Sequence, residues 1–417
     1  PILFLNASAA LANVDPALEE AAETLGVRGA RRFFRITLPL MFPGLFAGAA
    51  IVFIWSFTEL GTPLMLGLAR CAPVQVYDSL KDIADNPEPY ALVLLMLILC
   101  VALYSAARWT VRHYLRSMPS KGVRATAPLR WTGARGGAAL ALFACVILLA
   151  ALPHLGVLLT SLSRPGAWYR SILPNAWTLA HVREAWAHEL TLTSIRNSLI
   201  YAGGAVLMDL ALGLAIAMVV TRSRLRWRGA LDAAATLPLA VPGLVMAFGF
   251  LALSARLSHS AWVRESAWAA YLFDIRTQPA FFLTAAYAIR RLPFMVRAAV
   301  AGLQQTPPEL DEAAATLGAP PLMTLRRISL PLIGRHLLAG ALLTFAFSVL
   351  EVSDSLLLAQ RMDFYPITKT MYELFSFIGV GPHLAAALGV WAMLFLGLTL
   401  FSASRLIGRR FGTLFRV

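Results

Sequence analysis

Pro16-Ala-Leu-Glu-Glu-Ala-Ala-Glu-Thr-Leu-Gly26 returns 292 residues later as Pro308-Glu-Leu-Asp-Glu-Ala-Ala-Ala-Thr-Leu-Gly318. The offset holds without a gap through Ile36/Ile328, Leu38/Leu330, Pro39/Pro331, Gly48/Gly340, Phe53/Phe345, Ser56/Ser348 and Glu59/Glu351. Chance does not keep such a register; the chain carries two copies of one unit. Each copy has a readable local plan. A proline near the first turn opens a helix, and acidic side chains follow where the helix dipole favours them. The Glu-Ala-Ala face is made of small side chains that let another surface come close. Gly26 or Gly318 then supplies a left-handed turn, and a second amphipathic segment leads to Leu-Pro at the edge of an apolar block. The plan predicts a short helix–turn–helix at a membrane surface. An amphipathic loop resting on headgroups accounts for one such copy, but poorly for a duplication at fixed distance from a membrane helix.

Outward from the repeat, the composition is that of a bilayer protein. The 417 residues are 59% hydrophobic and 14% charged, against roughly 45–50% and 25% in soluble domains, with a mean hydropathy of +0.68. A soluble enzyme is excluded. The apolar residues gather in the blocks Leu40–Leu68, Tyr90–Ala107, Gly136–Leu162, Ser198–Val220, Ala233–Ala255, Pro279–Val296, Leu337–Leu358 and Leu384–Ser404, each near the ~20 residues that cross a bilayer core. About eight transmembrane helices are expected. Cys71, Cys100 and Cys145 suggest neither a disulfide framework nor a metal-ligand spacing.

The net charge of +14 is distributed as topology rather than as a nucleic-acid face. Basic residues fill alternate loops: Arg28, Arg31, Arg32 and Arg35; Arg108 to Arg135; Arg222, Arg224, Arg226 and Arg228; Arg326, Arg327 and Arg335; and Arg405, Arg409, Arg410 and Arg416. The positive-inside rule places these loops and the C-terminus in the cytoplasm. Loops 69–89, 163–197, 256–278 and 359–383 are poorer in basic residues, carry acids such as Asp78, Asp82, Asp85, Glu88, Glu184 and Glu189, and are expected outside. Six blocks separate the two copies. The halves are therefore parallel repeats. The expected organisation is a first part, 1–116, a Lys-, Arg-, Pro- and Gly-rich linker, 117–135, and a complete second module, 136–417, whose loop spans 306–331. Run backwards, the offset sets Pro1 on Pro293, so an N-terminal truncation of the first module is expected, the alternative being a short chain with two helices beside six. Ile2–Ala12 looks like a signal peptide, but it lacks a basic leader and the repeat accounts for it better.

These motifs resemble the permease subunits of binding-protein-dependent ABC importers, whose hallmark is a cytoplasmic Glu-Ala-Ala loop followed by Gly and then Ile-x-Leu-Pro. Both copies match, at Glu20-Ala21-Ala22, Gly26 and Ile36-x-Leu38-Pro39, and at Glu312-Ala313-Ala314, Gly318 and Ile328-x-Leu330-Pro331. Leu237-Pro-Leu-Ala-Val-Pro-Gly243 looks like the family's pore-proximal segment. The resemblance implies an all-α polytopic membrane protein of the cell inner membrane, built from two parallel type I permease modules. It implies that each loop couples to one of two copies of a cytoplasmic ABC ATPase, and that a periplasmic or extracellular substrate-binding protein delivers the solute. The sequence has no Gly-x-x-x-x-Gly-Lys-Ser/Thr loop, so no cofactor is expected on this chain, and ATP and magnesium belong to the partner. The expected role is transport, not catalysis.

Ionisable residues inside apolar blocks are pathway candidates, because burying one in lipid costs roughly 2.5–3.5 kcal/mol on insertion scales. Glu59 and Glu351 are repeat-related, Asp354 follows Glu351 by one helical turn, and Asp209 lies mid-block. The competing reading puts the first three at the outer interface and pairs Asp209 with a neighbouring helix. Arg290 and Arg291 read as inner-interface anchors, the alternative being a role in the pathway. His181 and His188 read as part of a surface for the binding protein. Fusion of two permease halves is similar to the ferric iron importers and also to thiamine, phosphonate and some polyamine systems. Phe57-Thr-Glu-Leu-Gly-Thr-Pro63, Ser353-Asp-Ser-Leu-Leu-Leu-Ala-Gln360 and Tyr365-Pro-Ile-Thr-Lys369 look most like the ferric branch, and carboxylates suit a hard cation. An ion-gradient-driven secondary transporter stays open as a reading from another class, although only His154 joins the acids within a span.

Overall fold

The computed structural model describes residues 2–79, 87–117, 132–168 and 171–407. Most of the expected linker and the extreme C-terminus, with Asp82, Asp85, Arg409, Arg410 and Arg416, lie outside the described residues. Among those described, helices dominate and the only strand-like feature is an isolated antiparallel bridge between Ser163 and Trp177. The chain forms two compact units. One holds Pro1–Phe57 and Ile98–Gly156; the other holds Thr58–Leu97 and Val157–Leu414.

Among the described residues six helices are long and apolar enough to cross a membrane: Gly29–Met65, Glu88–Val111, Gly136–Leu162, Glu189–Arg222, Pro321–Val349 and Gly381–Ser402. The two remaining blocks depart from the expected eight in different ways. Arg228–Leu239 and Gly243–Ser258 together make a broken span bent by 101°, because Pro238 and Pro242 withdraw backbone donors around the segment Ala240–Pro242. Ala280–Gln305 is one continuous helix, but Arg290 and Arg291 in its middle make it too polar to join the six.

The first unit is built around the pairing of Ile2–Asn13 with Leu38–Phe57. A Cβ added at Gly48 would stand 2.9 Å from the Asn6 Cβ, so the helices approach as closely as a glycine allows. In the second unit Ala280–Gln305 packs on Leu330–Val349, and there a Cβ on Gly340 would stand 2.9 Å from the Ala298 Cβ. Asn6 and Ala298 are one repeat apart, as are Gly48 and Gly340. Ile2–Asn13 is therefore the structural counterpart of the end of Ala280–Gln305. Glu189–Arg222 adds a third helix to this pair in the second unit, burying Met295, Val296, Ala299, Leu303 and Ile333 with Ala217.

Both copies break their membrane helix at the same register. Leu38–Phe57 ends and Gly61–Met65 begins after Glu59 and Leu60; Leu330–Val349 ends and Ser353–Leu358 begins after Glu351 and Val352. The apolar blocks Leu40–Leu68 and Leu337–Leu358 are thus interrupted helices, and the acids sit at the interruptions.

Candidate functional site

The repeated loops share the bonds that close and brace them, and the first adds a side-chain cap. In the first, Asp15 caps Pro16–Thr24 by accepting from the Ala17 amide at 3.0 Å. The helix closes with Leu25 N–H on Ala21 O at 3.1 Å and Val27 N–H on Ala22 O at 2.9 Å, around Gly26 with φ of 82°. In the second, Glu309–Thr316 closes with Leu317 N–H on Ala313 O at 3.1 Å and Ala319 N–H on Ala314 O at 3.0 Å, around Gly318 with φ of 78°. This wide turn satisfies helix-end carbonyls and needs a residue without Cβ at its corner. A five-residue π-helical turn follows in each copy, Phe33–Thr37 and Leu325–Ser329. It ends on a hydroxyl that ties the loop to the membrane helix: Thr37 Oγ1 donates to Glu19 Oε1 at 2.7 Å, and Ser329 Oγ to Asp311 Oδ1 at 3.1 Å.

Within the Glu-Ala-Ala triplets the three positions divide. Ala22 and Ala314 are buried against their own segments, whereas Glu20, Ala21, Glu312 and Ala313 are exposed. Leu25 and Leu317 project furthest, at 83% and 88% exposure, with Leu18 and Leu310 beside them. An exposed leucine beside a helix end, twice over, is an apolar contact surface without a cover among the described residues. The brace by Glu19 and Thr37, or Asp311 and Ser329, was not singled out from the sequence. Its signal was there, in a carboxylate and a hydroxyl kept as types at both copies.

At the helix interruptions the copies diverge. Glu351 is 5% exposed and stands between two arginines of Ala280–Gln305: Arg290 Nη1 lies 2.8 Å from Oε1, and Arg291 Nη2 bonds Oε2. Arg291 also donates to the Phe347 carbonyl at 3.1 Å. Arg290 Nη1 reaches Asp354 Oδ2 at 3.5 Å. Thr368 Oγ1 donates to the Glu351 carbonyl at 2.7 Å, and Tyr287 and Ser355 share a hydroxyl bond of 2.6 Å. A Cβ on Gly243 would fall 1.4 Å from Arg290 Nη1, so the segment Leu237–Gly243 ends in a glycine because the guanidinium occupies the side-chain position. Arg290 and Arg291 are therefore not interfacial anchors. They are the internal counter-charges of Glu351 and Asp354, which a buried carboxylate needs. Glu59 by contrast is exposed, and its Oε1 accepts from the Gly61 amide at 3.1 Å.

Asp209 stands on Glu189–Arg222 with no exposure, and neither oxygen has a hydrogen-bond partner among the described residues. His181 is 4% exposed and stacks on His383 with ring centroids 5.0 Å apart; burial and the His383 charge hold its pKa below the usual value. It is a packed residue rather than a surface for a partner. A further cluster lies in the loops expected outside. Lys369 Nζ sits 5.5, 5.6 and 5.9 Å from the ring centroids of Tyr365, Tyr372 and Tyr77, donates to Tyr77 Oη at 3.4 Å and pairs with Glu373 Oε1 at 3.2 Å. Burial raises the phenol pKa values of all three tyrosines, keeping them neutral around the ammonium. Tyr77 and Lys369 are one repeat apart. Among the described residues no three His, Cys, Asp or Glu side chains form a metal-holding group.

The chain belongs to the family described as the binding-protein-dependent transport system inner membrane component, whose model matches residues 1–116 and 210–413. It is a multi-pass membrane protein of that family. It is 27% identical over 390 residues to the putative ferric transport system permease protein FbpB 1 of Haemophilus influenzae, covering 85% of this chain and 54% of that protein. It is 25% identical over 390 residues to the ferric transport system permease protein FbpB of Actinobacillus pleuropneumoniae, covering 85% and 49%. To the sulfate transport system permease protein CysT of Escherichia coli it is 32% identical over 219 residues, covering 52% and 72%. The chain spans about half the length of the two ferric relatives.

Proposed function

We propose that this chain is the membrane-spanning part of an ATP-driven importer that receives its solute from a binding protein, and that the solute is ferric iron. The observation that carries the reading is the loop built twice with one geometry, from the left-handed glycine to the carboxylate–hydroxyl brace. A bilayer needs no such duplicate, whereas two identical ATPase subunits need two equivalent seats. Leu25 and Leu317, with the exposed Glu20, Ala21, Glu312 and Ala313, form those seats on the cytoplasmic side. The partner binds ATP and magnesium; closure of its subunits drives the loops, and rigid helices carry the movement to the interruptions at Glu59 and Glu351. Glu20→Lys with Glu312→Lys should abolish co-purification of the ATPase while the chain still reaches the membrane. Retention of the ATPase by that double variant would refute the coupling role.

Ferric iron is favoured by the two relatives matched along most of this chain and by the exposed hard oxygen donors of Glu59. A second reading, an oxyanion, is favoured by a specific observation: Arg290 and Arg291 already neutralise Glu351, leaving less negative charge to hold a cation. Radiolabelled ferric iron and sulfate uptake, measured in cells with and without the gene and with the cognate binding protein present, separates them. Loss of iron uptake alone supports the first reading; loss of sulfate uptake alone supports the second.

A further inference from the structure

We infer that the inner end of Glu189–Arg222 carries a binding site for the phosphate headgroup of an anionic phospholipid. The site is a cavity of about 370 Å³ whose walls include Thr221, Arg222, Arg228, Gly229, Asp232 and Gln304. That volume lies in the ~300–1,000 Å³ range of small-ligand pockets. Two of its walls belong to Arg222-Ser-Arg-Leu-Arg-Trp-Arg228, which sets an arginine at every second position directly after a 34-residue apolar helix. Leu225 and Trp227, between those arginines, are 42% and 57% exposed. Exposed leucine and tryptophan alternating with arginine at the end of a span is the composition of a membrane–water interface, where basic clusters attract anionic lipid.

The cavity has a second source of positive potential. Helix Arg228–Thr236 starts at its wall, and no side chain caps the helix. Of its first three amides, those of Arg228 and Ala230 donate to the Leu225 and Trp227 carbonyls at 3.3 and 2.9 Å, which leaves the Gly229 amide for an incoming anion, and a Cβ on Gly229 would meet nothing within 4 Å. The acids nearby each face an arginine: Asp311 Oδ2 lies 3.0 Å from Arg222 Nε and Asp232 Oδ2 lies 3.3 Å from Arg297 Nη2, while the buried Asp232 Oδ1 has no hydrogen-bond partner among the described residues. Arg228, whose Nη1 donates to the Ser223 carbonyl at 3.2 Å, is exposed and positioned to bind phosphate, with Arg224 and Arg226 adding field.

Arg222 gives the site a consequence. Its Nη2 donates to the Leu303 and Thr306 carbonyls at 3.2 and 2.8 Å, and its Nε faces Asp311 of the second loop. A phosphate in the cavity competes with Asp311 for the same guanidinium, so headgroup binding adjusts the seat of that loop. This consequence rests on the loop assignment proposed above; binding itself does not.

The test is lipid retention by the full chain purified with its ATPase, measured by native mass spectrometry with phosphatidylglycerol against phosphatidylcholine. Arg228→Gln should lower phosphatidylglycerol retention about fivefold, the loss expected for one interfacial arginine. Gly229→Asp, which places a carboxylate in open space at the helix start, should lower it as far while the helix stays folded. Arg361→Gln, at an exposed ion pair with Asp363, should change nothing. Equal retention by wild type, Arg228→Gln and Gly229→Asp would overturn the site. Displacement of the lipid by inorganic phosphate would overturn the lipid assignment in favour of a free anion. Because the readout needs no transport, its failure leaves the coupling role standing; intact retention with a failed ATPase co-purification test would strike the coupling role alone.

Discussion

The first and second copies of the repeat agree in their loops and part at the end of the membrane helix that follows. Gly26 and Gly318, the π-helical turns, and the braces at Thr37 and Ser329 superpose in kind and spacing. Glu59 and Glu351 then occupy one register with opposite fates: Glu59 is exposed and bonds its own turn, whereas Glu351 is buried between two arginines. The loop is a local object, closed by bonds between residues at most 18 apart, so duplicating the sequence duplicates the structure. The acid is not local. Its partners lie 60 and 61 residues away on another helix, so the same residue type acquires its character from what the fold brings to it.

The sharpest way to break this contrast is to neutralise both acids. Glu351→Gln leaves a buried and a half-buried guanidinium short of a charge and should lower stability by about 3–5 kcal/mol, seen as a lower melting temperature of the purified chain. Glu59→Gln should stay within about 0.5 kcal/mol; equal losses would end the distinction. Next in size is the pair Lys369 and Tyr77, one position that differs in chemistry between copies. Lys369→Gln removes a desolvated cation from three rings and should destabilise the outer segment by about 2 kcal/mol, whereas Tyr77→Phe keeps the ring and should change little, both read by limited proteolysis.

Two smaller effects test the sameness of the loops. Gly26→Ala and Gly318→Ala each force a Cβ into a left-handed turn at about 1–2 kcal/mol, and the two should weaken ATPase association alike in a binding titration. Thr37→Val should loosen the first loop by about 1 kcal/mol. Ser329→Ala should loosen the second by less, because Asp311 keeps Arg222. Hydrogen exchange at the Val27 and Ala319 amides, which close the two turns, distinguishes the two variants. Equal protection in both would show that Arg222 contributes nothing to the second loop.

Much of the architecture was legible before any coordinates. Proline at a helix start, glycine after Leu25 and Leu317, and a gapless offset define the loops, because each is decided by a few adjacent dihedrals. The span count was less legible. A hydropathy window over Leu40–Leu68 or Leu337–Leu358 does not register an interruption of two or three residues, since an acid and its apolar neighbours average to a membrane-like value. Nor does it foresee that Pro238 and Pro242 bend the span from Arg228 to Ser258 by 101°. Arg290 and Arg291 differ from the expected interfacial anchors for a related reason. A basic pair near a block's end looks like an anchor until the helix is seen to run on to Gln305, which sets the pair in mid-helix beside Glu351.

The sequence by itself determined a helical membrane protein with two parallel copies of one loop, since composition, periodic spacing and turn residues act over short stretches of chain. Only the tertiary structure decided which charges neutralise one another. Glu351 with Arg290 and Arg291, Lys369 within its three tyrosines, and Arg222 against Asp311 are all pairings across helices. A buried charge is stable only when a partner from elsewhere in the chain arrives within a few ångströms, and the linear spacing of residues does not encode that arrival.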